Sequence, residues 1–457
     1  MSQVLTEIKK LSNIAWPLLA AQVMQTLMGV SDTIMAGRYS AVDMAAVAVG
    51  FSITMPVLFF LQGILLALAP IVSRLHGAKK SGDIPYAFQQ CVYTALPLGL
   101  FALGLSAAVP WLFSLIDMEP TLRDITVRYT QFILYGTPAF IAYQALRNLC
   151  EGLSITMPSM LIMLLGLLVN IPANYILIYG KLGLPALGGA GCGIATSLVF
   201  LAMACAFAVY VVRAPALNAF SFFRPWSRPS WSTMRETYAV GVPIAFTIFF
   251  EVTLFGVVAL LLSPFGATVV AAHQVALNFS SLMFMLPLSI GMAATIRVGY
   301  LLGEVGLPGS RVAIRSALLI GIVIAVASAV LTILLRYPIA SLYTENNEVI
   351  ELAATLMLMA ALFQFSDAIQ VISAGLLRGF KDTKAMFYLT FISYWLVGLP
   401  TGCILALTDW VVSPMQAKGF WIGFIVGLST AAVLLGLRLL YVQRHTHSEK
   451  EVGHEVA

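Results

Sequence analysis

The sequence predicts an all-α polytopic membrane protein made of two pseudo-symmetric six-helix halves. Three observations predict it. The 457 residues are 60% hydrophobic and only 10% charged, whereas a soluble domain carries about 25% charged residues. The apolar residues gather into runs long enough to cross a bilayer, which takes roughly 20 per helix. Motifs of the first half recur in the second at an offset of 226 or 227 residues.

Twelve such runs are read as transmembrane helices, at about 13–37, 44–73, 87–113, 127–150, 158–180, 189–212, 237–263, 269–300, 311–335, 348–377, 385–408 and 419–441. Helices are expected because they satisfy backbone hydrogen bonds within the segment. Lys9 and Lys10 precede the first run, and no short hydrophobic core with a small-residue cleavage site follows. The run is therefore read as a span and not as a cleaved leader. If the N-terminus is cytoplasmic, 19 of the 25 lysines and arginines fall on the inner side and 6 on the outer. The positive-inside rule then places both termini in the cytoplasm.

The repeat is read from paired motifs. Gly77 and Gly303, Ala45 and Ala271, and Pro17 and Pro243 are each 226 apart, and Gly152 and Gly379 are 227 apart. Six spans per copy give both copies the same orientation, with the substrate path expected between them. One long polar connector separates the halves, Arg213 to Glu236, with Pro215, Pro225 and Pro229 and four arginines, Arg224 among them. The expected organisation is an N-terminal lobe at 1–212, a cytoplasmic linker at 213–236, a C-terminal lobe at 237–441 and a cytoplasmic tail at 442–457. Pro17 and Pro243 open the first span of each half and are read as kinks or hinges.

Several classes of function are excluded. The net charge of +5 forms no basic patch, so nucleic acid is not an expected partner. The five cysteines (Cys91, Cys150, Cys192, Cys205, Cys403) are scattered, which argues against disulfide frameworks and zinc sites. No P-loop, nucleophile elbow or HExxH stands in a chemical context. An enzyme is not expected, nor a cofactor, and no soluble domain is present to hold an ATPase. Any transport must be driven by an ion gradient.

The candidate site residues are three solitary acids. Asp32 is the one charge between Lys10 and Arg38, Glu251 the one between Glu236 and Arg297, and Asp367 the one between Glu351 and Arg378. A charge at the bilayer centre costs at least about 2.5–3.5 kcal/mol on insertion scales, and such acids mark ion pathways. Each is read as lacking a basic partner at its depth, and so as free to bind a proton, Na⁺ or an organic cation. Asn170 and Asn174 are four apart, on one face around Pro172, and Thr196 follows the glycine-rich run 188–193. These serve either as hard ligands or as interhelical hydrogen bonds. Gln274 and Asn278 are likewise four apart, with Phe284 further on. His273 is read as a packed histidine.

At these residues the chain resembles the multidrug and toxic compound extrusion transporters, in their NorM-type bacterial branch. The resemblance runs from about residue 10 to 441. It rests on MGVSDTIMAG (28–37), LVNIPANYILIYGKLGLPALGGAGCGIAT (168–196), FFEVTLF (249–255), HQVALNFSS (273–281), FQFSDAIQV (363–371) and GLLRGFKDT (375–383). It implies two six-helix lobes arranged as a V, in the bacterial inner membrane. It also implies export of organic cations and fluoroquinolone-like drugs against Na⁺ or H⁺, by a monomer surrounded by lipid. Asp32, Asn170, Asn174 and Thr196 match the family's N-terminal polar site. Glu251 and Asp367 match its C-terminal cation site, where Na⁺ is the expected metal. Phe284 stands where some members carry tyrosine. Two other readings share a six-plus-six plan. A lipid-linked oligosaccharide flippase would need basic groups for its pyrophosphate, and a major-facilitator importer would not carry these motifs.

Overall fold

The computed structural model describes residues 2–115, 118–218, 220, 222, 223 and 225–454. Arg224 of the connector and the last three residues of the expected tail lie outside them. Among the described residues the fold is helical throughout, with no strand. In chain order the helices are α1 (Ser2–Tyr39), α2 (Ala41–Leu65), α3 (Leu68–Gly77), α4 (Asp83–Ser114), α5 (Pro120–Tyr135), α6 (Thr137–Gly152), α7 (Met157–Tyr179) and α8 (Gly189–Arg213). They continue with α9 (Trp231–Leu262), α10 (Ala267–Glu304), α11 (Leu307–Tyr343), α12 (Asn347–Gly379), α13 (Thr383–Phe391), α14 (Leu399–Leu407) and α15 (Ala417–His454). A π-helical stretch, Ile392–Gly398, joins α13 to α14.

Among the described residues, 11 helices are long and apolar enough to cross a membrane. The fourth predicted span, 127–150, falls on the pair α5 and α6. Gly136 separates them in near-helical geometry, with φ −77° and ψ −9°. Pro138, two residues on, cannot donate a backbone hydrogen bond and crowds the preceding turn. Gly136 also lies against Ser197, whose Oγ would be 2.2 Å from a Cβ at that position. Large aliphatic side chains point outward, among them Leu100 at 70%, Leu260 at 73% and Leu334 at 70% exposure. A surface in water rarely shows such a band, whereas a lipid-facing one requires it.

The helices form two compact units. One comprises Ala20–Ala245, and the other Met1–Leu19 with Phe246–Ala457. The crossing points, Leu19/Ala20 and Ala245/Phe246, each follow a proline by two residues, Pro17 and Pro243. The unit Ala20–Ala245 is packed around Leu61, Phe88, Tyr129, Tyr143 and Phe207. Its connector is held by two side chains of α4. Gln89 Nε2 donates to the carbonyls of Phe222 and Pro225, each at 3.0 Å. Gln90 Nε2 donates to that of Arg228 at 2.9 Å. The other unit is packed around Leu254, Met357, Phe363, Trp421 and Phe424. In it α10 and α12 approach backbone to backbone, since a Cβ on Gly375 would come within 2.3 Å of the Gly291 carbonyl oxygen.

Candidate functional site

In the unit Ala20–Ala245 the four predicted polar residues converge. Asp32, on α1, is buried. Asn170 Nδ2 donates to Asp32 Oδ1 at 2.9 Å, and Asn174 Nδ2 donates to the same oxygen. Thr196 Oγ1 donates to Oδ2 at 3.4 Å. The spacing of four puts both asparagines of α7 on one face. The start of α8 is fixed nearby. Asp43 Oδ1 accepts from the Gly189 N–H, and Cys192 Sγ donates to the Asp32 carbonyl at 3.8 Å. Both asparagines turn their amide nitrogens to the carboxylate. Their Oδ1 atoms are left buried and without a hydrogen-bond partner. Buried acceptors normally find a partner. Carboxylate and amide oxygens are hard donors of the kind that suit a small cation.

In the other unit Glu251 sits on α9 and Asp367 on α12. Asp367 is buried and Glu251 partly so. The Asp367 carboxyl lies within electrostatic reach of Glu251. Neither acid is held by a side-chain donor among the described residues. One expectation is corrected here. The sequence pattern predicts no basic group at the depth of Glu251, but Arg378 of α12 lies within its electrostatic reach. The sequence numbering of α12 hid this, because Arg378 stands at a helix end while Glu251 stands mid-helix. The guanidinium turns back along its own helix, where Nε donates to the Ala374 carbonyl at 3.4 Å.

Gln274 and Asn278 lie on the exposed face of α10, where Gln274 Nε2 donates to Asn278 Oδ1 at 3.0 Å. The opposite face of that helix is buried by His273, Val275, Ala276 and Phe279. Phe284 is partly buried on the same helix. No described hydrogen bond brings Gln274 or Asn278 to either acid. His273 is packed as expected, its Nδ1 accepting from Trp421 Nε1 at 3.1 Å.

Two features escaped the sequence reading. Arg147 is buried against Glu151, its Nε donating to Oε1 at 2.6 Å. The signal was an Arg and a Glu four apart on one helix. Tyr394, in the π-helical stretch, is buried with its hydroxyl unpartnered. It lines a small cavity together with Glu251, Leu254, Phe255, Phe424, Leu428 and the glycines 398, 423 and 427. Its only signal was a polar pair, Ser393–Tyr394, inside an apolar run before Pro400.

The model of the MatE family matches residues 17–176 and 243–404. The chain belongs to the MatE family. The two matched segments start at Pro17 and Pro243, the pair that marks the internal repeat. MatE relatives align over nearly the whole chain. The probable multidrug resistance protein NorM of Shewanella oneidensis is 51% identical over 438 residues, 96% of this chain and 95% of the relative. The multidrug resistance protein MdtK of Edwardsiella ictaluri is 49% identical over 449 residues, 98% of each. Among solved structures, the Vibrio cholerae MATE transporter VcmN in its bent form matches with a TM-score of 0.85 at 19% identity, over 98% of this chain and 99% of that one. The eukaryotic MATE transporter AtDTX14 matches with a TM-score of 0.84 at 23% identity, over 98% and 99%. These two structures share the fold.

Proposed function

We propose that this MatE protein is a secondary active multidrug exporter. It expels organic cations and fluoroquinolone-like drugs from the cell in exchange for Na⁺, with H⁺ as the competing choice of coupling ion. It works as a monomer in the bacterial inner membrane, with both termini in the cytoplasm and lipid around it. The names of the close relatives support the drug substrates. The observation that carries the ion coupling is the Asp32 site, where a buried carboxylate is held by two asparagine amides whose own oxygens are left without partners.

The mechanism follows from competition and linkage. A carboxylate in a membrane attracts whichever cation reaches it. An ion that occupies it lowers the affinity for a cationic drug, and the drug lowers the affinity for the ion by the same factor. An inward ion gradient then drives drug outward. Glu251 and Asp367 supply such carboxylates in one unit and Asp32 in the other. The flippase reading gains no support, because the buried Arg147 is engaged by Glu151 and Arg378 lies within the field of Glu251.

The test is dye efflux from energised vesicles, with a Na⁺ gradient and a pH gradient imposed separately. The expectation is that Na⁺ drives efflux and that Glu251→Gln with Asp367→Asn abolishes it while the protein still inserts. Ethidium efflux at the normal rate from the double variant overturns the reading.

A further inference from the structure

We propose that the Tyr394 hydroxyl is a ligand of the coupling ion, facing Glu251 across a cavity sized for a single small cation, and that it sets the preference for Na⁺. This rests on the reading of Glu251 as an ion-binding acid and deepens it.

Four observations carry the inference. First, Tyr394 is fully buried, yet its hydroxyl has no hydrogen-bond partner. Leaving a buried polar group unsatisfied costs about 1–3 kcal/mol, and such groups in native folds call for an explanation. Second, Tyr394 and Glu251 line the same cavity, and the phenol lies within electrostatic reach of both Glu251 and Asp367. The hydroxyl bonds to neither carboxylate. A small occupant between them would give the hydroxyl the partner it lacks.

Third, the cavity has a size. It offers about 10 Å³ to the centre of a water-sized occupant, which is room for one and no more. A Na⁺ or a single water fits, and a drug cation does not. The walls are stiff because backbones meet there. A Cβ on Gly423 would come within 2.7 Å of the Gly398 carbonyl oxygen, and one on Gly427 within 3.0 Å of the Gly398 Cα. Apolar side chains, Leu254, Phe255, Phe424 and Leu428, close the rest. Fourth, Tyr394 sits in a π-helical turn, where its own carbonyl accepts from the Leu399 N–H five residues on. The extra residue in such a turn re-aims the side chains before it, and π turns recur at functional sites. Pro400, which has no N–H to donate, follows directly.

The ligand class is therefore a small, hard monovalent cation held by a carboxylate and a phenol oxygen. The geometry separates the two cargoes in this unit. The ion enters a space the drug cannot, and acts on the drug through Asp367 by charge and not by exclusion.

The test uses the full chain in proteoliposomes, with Tyr394→Phe as the variant. It removes one oxygen that has no protein partner, so thermal unfolding in the absence of Na⁺ should be unchanged. The Na⁺ concentration for half-maximal ethidium efflux should rise about tenfold or more, the loss expected for one ligand to a charged group. Equilibrium binding of labelled Na⁺ to the purified variant should weaken by the same factor, while ethidium binding stays as in the parent. Unchanged Na⁺ dependence in Tyr394→Phe, together with its loss in Glu251→Gln, overturns the role of Tyr394 alone. Unchanged Na⁺ dependence in both variants, or efflux that never responds to Na⁺ in the parent protein, overturns the reading of Glu251 beneath it.

Discussion

Removing the Glu151 carboxylate isolates a buried charge and tests how the unit Ala20–Ala245 is held together. Arg147 and Glu151 are 3% and 2% exposed and 2.6 Å apart. Arg147 Nη1 also donates to the Tyr143 hydroxyl at 3.2 Å, and Ser159 Oγ donates to Glu151 Oε1 at 2.9 Å. The network is already short of one acceptor, since Arg147 Nη2 is buried without a partner. Glu151→Gln leaves a guanidinium in a dry core, facing an amide in place of its counter-charge. Breaking one side of a buried ion pair costs about 3–5 kcal/mol. For a unit of this size each kcal/mol moves the melting temperature by about 2–4 °C, so a fall on the order of 10 °C is expected. Replacing both partners, Arg147→Met with Glu151→Leu, removes the charge as well as its complement and should recover most of the loss. The assay is thermal unfolding of purified protein, followed by tryptophan fluorescence. A Glu151→Gln variant that melts within 2 °C or so of the parent, or a double variant no better than the single one, refutes the reasoning.

Two further outcomes are expected. Asp32→Asn keeps an oxygen for the Asn170 and Asn174 amides, so it should insert and melt near the parent while losing efflux. Asp32→Ala strands two buried donors, on Asn170 and Asn174, at about 1–3 kcal/mol each, and should melt distinctly lower. Equal melting of the two variants refutes the hydrogen-bond geometry at Asp32. At the other end of α1, Glu7 accepts two bonds from Arg297 of α10, each 2.8 Å, and one from Lys10 at 3.2 Å. Glu7→Gln should weaken this tether by about 1–2 kcal/mol. Trypsin cleavage after Lys9 and Lys10 should then run roughly ten times faster, and an unchanged cleavage rate refutes the tether.

What could be read in advance follows from what a helix period encodes. Solitary acids and the i, i+4 pair Asn170/Asn174 announced the Asp32 site, because spacing alone puts the two amides on one face. The same spacing in Gln274 and Asn278 said only that they share a face. Which face is buried was decided by His273, Val275 and Phe279, and the amides turned outward. The approach of Arg378 to Glu251 was not legible, because sequence separation says nothing of depth across a bundle. Tyr394 was invisible for a different reason. A π turn breaks the 3.6 period on which face assignments rest.

The internal repeat shows why the two acid sites are alike in place and unlike in chemistry. Asp32, the asparagines and Thr196 come from α1, α7 and α8. The Glu251 cavity is lined from α9, the π-helical stretch with Gly398, and α15. These are the first, fifth and sixth predicted spans of each half. The duplicated frame therefore places an acid site at the same trio of helices twice. The residues that fill it were not duplicated. At an offset of 226, Asp32 corresponds to Val258 and Glu251 to Gln25. Glu251 stands seven residues before Val258, two turns along the same face, which moves the carboxyl about 10 Å along the helix axis. At an offset of 227, Thr196 corresponds to Gly423 and the asparagines to Val397 and Thr401. One half thus meets its carboxylate with amides and a hydroxyl from α7 and α8. The other has glycine where the hydroxyl stood, and its remaining oxygen, on Tyr394, reaches the cavity from a turn that the other half lacks. Loss of Asp32 should therefore not be made good by Glu251, because neither acid stands at the counterpart position of the other.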